Sequence, residues 1–127
     1  MNLNQVTLPV TDFDRTVQFY RDMGFTQIVH SPPRYARFEC PEGDSTLSLH
    51  STTEPVQNTG VVVYFECKDL DERVEALRAK GFEFTQLPKD EVWLWREARL
   101  NDPSGNVICL FWAGDIRKNP PWKVKPE

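Results

Sequence analysis

The apolar positions change period along the chain, and the changes mark out elements. Residues 3–10, LNQVTLPV, alternate: Leu3, Val6, Leu8 and Val10 are apolar, while Gln5, Thr7 and Pro9 take the other face. That is the period of a half-buried strand, and Pro9 places it near a strand end or a sheet edge. Thr11 or Asp12 then serves as a helix N-cap. Phe13, Val17, Phe19 and Tyr20 form the buried stripe of a helix that stops at Gly24. Strands are expected over 25–30, 35–40 and 46–50, broken by Pro32-Pro33 and by the turn residues 41–44. The order is β-α-β-β-β.

Residues 51–60, STTEPVQNTG, have the composition of a linker. The pattern then returns. A strand over 61–67 leads into Lys68-Asp69-Leu70-Asp71, which parallels Thr11-Asp12-Phe13-Asp14. A helix carrying Val74, Leu77 and Arg78 ends in Lys80-Gly81-Phe82, which parallels Met23-Gly24-Phe25. Gly24 and Gly81 stand 57 positions apart, and so do Asp12 and Asp69. The agreement of caps, glycines and following phenylalanines reads as an internal duplication. Strands are expected near 82–86, 93–100 and 107–112. Asp102-Pro103-Ser104-Gly105-Asn106 turns between the last two, with Pro presetting φ and Gly supplying a positive φ. The tail carries Pro120-Pro121-Trp122, which excludes regular structure and suggests a packed arm. The organisation is one domain over 1–127: module one at about 3–50, linker 51–60, module two at about 61–113, and an arm at 114–127.

Composition narrows the function classes. A chain of 127 residues with 39% hydrophobic and 27% charged residues suits one soluble domain with its own core. The formal net charge of −4 makes nucleic acid a poor partner. No apolar run approaches the ~18 residues of a membrane span. The N-terminus MNLNQVTLPV lacks the basic and apolar regions of a signal peptide, so a cytoplasmic location is expected. Cys40, Cys67 and Cys109 are odd in number and far apart, as reduced thiols rather than a disulfide frame or zinc site.

Two βαβββ modules in tandem, an aspartate before each helix (Val10-Thr11-Asp12 and Cys67-Lys68-Asp69), GF after it, and DPSGN before the last strand resemble the vicinal oxygen chelate superfamily. That is the group of glyoxalases, bleomycin-resistance proteins and extradiol dioxygenases, and the resemblance covers about residues 3–113. It implies an α+β fold in which the two modules form a curved mixed sheet around a cup. It also implies that two chains pair as a homodimer. The superfamily's metal ligands lie on the first and last strands of each module. Those positions here are Gln5, Val62, Ser48 and Cys109. Gln5 is compatible with a ligand role. Val62 cannot coordinate, Ser48 is a poor ligand, and Cys109 is an unusual one for an oxygen-activating site. The chain therefore looks closer to the metal-free drug-binding members, with no metal and no cofactor expected.

Strand alternation assigns faces. The helix-packing set is Val6, Leu8, Val10, Ala36, Phe38, Cys40, Leu47, Leu49, Val61, Val63, Phe65, Leu94, Ala98, Leu100, Ile108, Leu110 and Trp112. The opposite set holds Thr7, Tyr35 and Glu39 together with the candidate ligand-binding residues. Those are Gln5, Arg37, Ser48, His50, Tyr64, Glu66, Trp93, Trp95, Glu97, Arg99, Cys109 and Phe111. A solvated face holds charges but few aromatics, and a second core holds aromatics but few charges. The mixture suits a site for a small molecule.

Each candidate has a plainer reading beside it. His50 is a catalytic candidate, as a displaced ligand or general base, or else a hydrogen-bonded wall residue. Glu66, the other catalytic candidate, and Glu97 either pair with His50 for acid–base work or form cross-strand ion pairs with Arg37 and Arg99. Trp93 and Trp95 stack on a planar ligand or fill a dimer interface. Cys109 has apolar neighbours and no evident activator, which argues against a nucleophile. The functions in competition are three. One is a small-molecule binding protein that sequesters a flat or amphipathic compound. Another is a lyase, isomerase or dioxygenase using a non-standard metal set such as Gln5, His50 and Glu66. The last is an accessory domain that makes contacts through its Pro-Pro-Trp tail.

Overall fold

The structure, a computed structural model, describes residues 1–56 and 59–126. Positions 57 and 58 of the expected linker and position 127 of the expected arm lie outside the described residues. Ten elements follow the duplicated order. The first module is β1 (Gln5–Val10), α1 (Phe13–Met23), β2 (Thr26–Ser31), β3 (Tyr35–Glu39) and β4 (Thr46–Ser51). The second is β5 (Val62–Glu66), α2 (Leu70–Ala79), β6 (Gln86–Asp90), β7 (Arg96–Asn101) and β8 (Val107–Trp112). The fold is α+β, two tandem βαβββ modules, each with its own four-stranded mixed sheet. Among the described residues no helix is long and apolar enough to cross a membrane.

The first compact unit comprises Met1–Val61 together with Asn101–Asn106. Its strand order is β1-β4-β3-β2, with β1 parallel to β4 and the other pairs antiparallel. Helix α1 starts where the Asp12 carboxylate accepts the Arg15 amide proton, and stops where Gly24 turns left-handed at φ 110°. Its buried stripe is Phe13, Thr16, Val17, Tyr20 and Met23. Phe19 is only half-buried, because helical spacing from Phe13 and Val17 selects Tyr20 and Thr16 instead. The stripe packs on Leu8, Val10, Ala36, Phe38, Leu47 and Leu49, all buried, and the Tyr20 and Phe38 rings lie 6.0 Å apart.

The Asp102–Asn106 turn joins β7 to β8 in sequence and belongs structurally to this first unit. Ser104 Oγ accepts the backbone amide protons of Thr11 and Asp12 at 3.1 and 3.2 Å, just ahead of α1. Asn106 donates to the Pro9 carbonyl at 2.9 Å, and the Tyr20 hydroxyl donates to Asp102 at 2.8 Å. Burial and the adjacent Asp102 charge push the Tyr20 hydroxyl well above the ordinary tyrosine range.

The second compact unit comprises Val62–Leu100 and Val107–Glu127. Its strand order is β5-β8-β7-β6, with β5 parallel to β8 and β6 antiparallel to β7. Leu70, Val74 and Leu77 are the buried stripe of α2, and Ala98, Leu100, Ile108 and Leu110 are buried in this unit. All three cysteines are free thiols.

Four details depart from the sequence reading. The strand expected at 82–86 starts only at Gln86, because the Phe82 amide closes α2 on the Leu77 carbonyl. The strand expected at 93–100 starts at Arg96. Leu94 before it has φ 70° and its amide turns back to Glu91, so Leu94 is 51% exposed instead of packing under a helix. Val61 lies before β5 and is also exposed. The tail is not wholly irregular, since Gly114–Arg117 forms a single 3-10 turn.

Candidate functional site

In the second unit the residues on one sheet face form a ring cluster above a buried carboxylate. Parallel pairing sets Tyr64 beside Cys109, and Glu66 beside Phe111. The Trp95 and Phe111 rings stack at 4.6 Å with an interplanar angle of 17°. Tyr64 meets both edge-on, at 5.8 Å from Trp95 and 5.7 Å from Phe111. Such offset and edge contacts are favourable beyond the area they bury. Phe111 is buried, Trp95 half-buried, and Tyr64 44% exposed, so the cluster has a solvent-facing edge.

Glu97 anchors this face. It is 2% exposed, and three donors reach its carboxylate: Trp93 Nε1 at 2.7 Å, Arg99 Nη2 at 3.2 Å and Cys109 Sγ at 3.6 Å. The same Arg99 nitrogen donates to the Tyr64 hydroxyl at 3.3 Å. A buried carboxylate needs this compensation, to which the Arg99 ion pair contributes an opposite charge. Burial and the neighbouring Glu97 charge push the Cys109 thiol up to about 12. It stays a protonated donor at neutral pH and is not a nucleophile there. Glu66 is exposed, and among the described residues its side chain has no hydrogen-bond partner.

In the first unit the corresponding sheet face carries Gln5, Thr7, Tyr35, Arg37, Ser48 and His50. Register places Thr7 beside Ser48, Arg37 across from Ser48, and Tyr35 across from His50. Ser48 is fully buried, with its hydroxyl 3.0 Å from that of Thr7. Arg37 Nε donates to the Tyr35 hydroxyl at 2.9 Å, and its guanidinium lies 5.4 Å from the Tyr35 ring centroid. Partial burial pushes the Tyr35 hydroxyl up, but hydrogen bonds from Ser48 and Arg37 outweigh it and bring it below the ordinary tyrosine value. His50 is exposed. The sequence placed Tyr35 and Thr7 on this face without giving them a role. Cross-strand register, which alternation alone does not supply, is the signal that joins them to Arg37 and Ser48.

The four positions that the resemblance points to as metal ligands have other partners or no donor atom. The Gln5 carbonyl oxygen already accepts from Thr46 at 2.8 Å. Ser48 is bonded to Thr7, Val62 has no donor atom, and Cys109 is a buried, protonated thiol. Among the described residues no group of three or more His, Cys, Asp or Glu side chains is placed to hold a metal ion.

Comparison with known proteins adds the family. A sequence profile of the Glyoxalase/Bleomycin resistance protein/Dioxygenase superfamily matches residues 2–110. The uncharacterized protein YraH of Bacillus subtilis (strain 168) is 27% identical, covering 87% of this chain and 98% of its own. A glyoxalase/bleomycin resistance protein/dioxygenase from Nocardioides superposes with a TM-score of 0.75 at 25% identity, covering 98% of this chain and 90% of its own. A bleomycin-binding protein, crystallised with bleomycin, superposes with a TM-score of 0.72 at 22% identity. That match covers 88% of this chain and 98% of the other.

Proposed function

Because the chain belongs to the Glyoxalase/Bleomycin resistance protein/Dioxygenase superfamily, we propose that it is a small-molecule binding protein. Its ligand is a flat or amphipathic compound held on the sheet face of the second unit. The observation that carries this reading is the ring cluster of Tyr64, Trp95 and Phe111, with Arg99 on its open edge. Rings supply apolar area, and a guanidinium at the rim orients a carbonyl or acidic group. Glu97 fixes Arg99 and Trp93 from below, so the site is organised before a ligand arrives. The bleomycin-binding relative of the same fold lends support to binding rather than turnover. The protein acts as a cytoplasmic homodimer in this reading.

The competing reading is a metal-dependent lyase, isomerase or dioxygenase that uses Gln5, His50 and Glu66. It asks three donors on separate strands to do what the superfamily's own four positions do not. Elemental analysis of protein purified without chelator separates the two. About one equivalent of zinc, nickel, manganese or iron, lost on His50→Ala, favours the enzyme.

Tryptophan fluorescence titration with bleomycin and with planar aromatic acids tests binding directly. Saturable quenching is expected, weakened about 5- to 30-fold by Trp95→Ala or Arg99→Ala, since each contact is worth roughly 1–2 kcal/mol. If both variants instead lose stability sharply while affinity holds in the folded fraction, the ring cluster is structural and the binding proposal fails.

A further inference from the structure

The third strand of each module, β3 and β7, carries an arginine, with different company. Arg37 on β3 lies across from Ser48, and Ser48 lies beside Thr7. Arg99 on β7 lies by Cys109, and Cys109 lies beside Tyr64, which follows Thr7 at the repeat's own offset of 57. Each arginine bonds the residue two positions before it. In the second module that residue is Glu97, so the charge of Arg99 is neutralised at 3.2 Å. In the first it is Tyr35, a phenol, at 2.9 Å.

Arg37 is therefore held but not neutralised. It is half-buried, and among the described residues no carboxylate comes within ion-pair distance of it. Glu39 shares its strand face two positions on without pairing to it. Tyr35 fixes the Nε edge, its ring centroid 5.4 Å from the guanidinium carbon, and among the described residues the two terminal nitrogens have no protein acceptor. A guanidinium fixed in this way has lost the freedom of a solvated surface arginine. Its open edge matches a pair of anionic oxygens, which it binds through two parallel hydrogen bonds. We propose that Arg37, positioned by Tyr35, binds the anionic oxygens of a small-molecule carboxylate or phosphate on the face of the first unit. The proposal rests on residues of the first unit alone.

The side-chain Nε–Hε resonances of the arginines, with Arg37 assigned through Arg37→Lys, report on this directly. Benzoate and phenyl phosphate are titrated separately into the full chain. The Arg37 resonance is expected to shift saturably with at least one probe while that of Arg99 stays in place, and the tighter probe identifies the anion. In calorimetry with that probe, Arg37→Gln is expected to weaken binding at least about tenfold, and Tyr35→Phe severalfold, by releasing Nε. Arg37→Lys, which keeps the charge without the fork, is expected to bind more weakly than the native chain, and serves if Arg37→Gln does not fold. The proposal is overturned if the Arg37 resonance ignores both probes, if all arginines shift together without saturation, or if Arg37→Lys binds as tightly as the native chain.

Discussion

Asp102 shows how much one side chain in a turn can carry. Its carboxylate accepts from the Tyr20 hydroxyl, the Ser104 and Asn106 amides, and Asn106 Nδ2, all within 2.8–2.9 Å. Tyr20→Phe removes one of these donors from a buried acceptor and is expected to cost about 1–3 kcal/mol in urea unfolding. Tyr20 and Cys109 also set an alkaline limit. Both titrate higher in the folded chain than in the unfolded one, where ordinary values are about 10 and 8.5. The unfolded chain therefore loses these protons first as pH rises. The stabilisation from burying them neutral is complete below about pH 8.5 and is lost as pH climbs toward 12. Denaturant midpoints followed from pH 8 to 11 should fall accordingly. Iodoacetamide at pH 8, followed by mass spectrometry, should leave Cys109 unmodified in the native protein and modify it in urea.

Caps and turns decide where the elements stop. At Gly24 an added Cβ would meet only Pro41 Cγ at 3.9 Å, so the cost of Gly24→Ala lies in the backbone, φ 110°, at about 1 kcal/mol. Leu94 is the opposite case, a branched residue at φ 70° between two tryptophans. Leu94→Gly should stabilise the chain by about 1 kcal/mol in thermal or urea unfolding, if it leaves Trp93 on Glu97. β6 lies at Gln86–Asp90 and not over the expected 82–86, but the two helices and most of the other strands were legible in the sequence, because alternation, helical spacing and the repeated Asp and Gly are local signals. The start of β7 was not, since nothing in Val92-Trp93-Leu94 announces a left-handed leucine within a β-branched and aromatic run. The candidate site was legible as a list of residues on a face, Tyr64, Trp95, Glu97 and Arg99 among them. Which neighbour each one holds depends on cross-strand register and on turn geometry, and a single sequence does not carry those. The Arg99–Glu97 ion pair was one of two pairings left open for Glu97; the Trp93–Glu97 bond was not foreseen at all.

At the scale of the molecule, Tyr64 at 44% and Trp93 at 41% exposure are large apolar side chains open to solvent on or beside the same face. A homodimer of about twice 14.8 kDa is expected to cover part of this surface, and sedimentation at micromolar concentration checks it. A monomer there would detach the tryptophans from any interface role. The Asp102–Asn106 turn has a consequence of another kind. Two copies of a module suggest a gene that was once half as long, and the linker at 51–60 looks like the natural place to cut it. Yet the amides of Thr11 and Asp12, the Pro9 carbonyl and the Tyr20 hydroxyl all find their partners in residues encoded after that cut. A gene fragment ending at residue 61 would leave those groups unanswered. The dependence written into that turn runs from the first repeat to the second, so residues 1–61 expressed alone are expected to be less stable than the same residues within the full chain, which urea unfolding of the two checks.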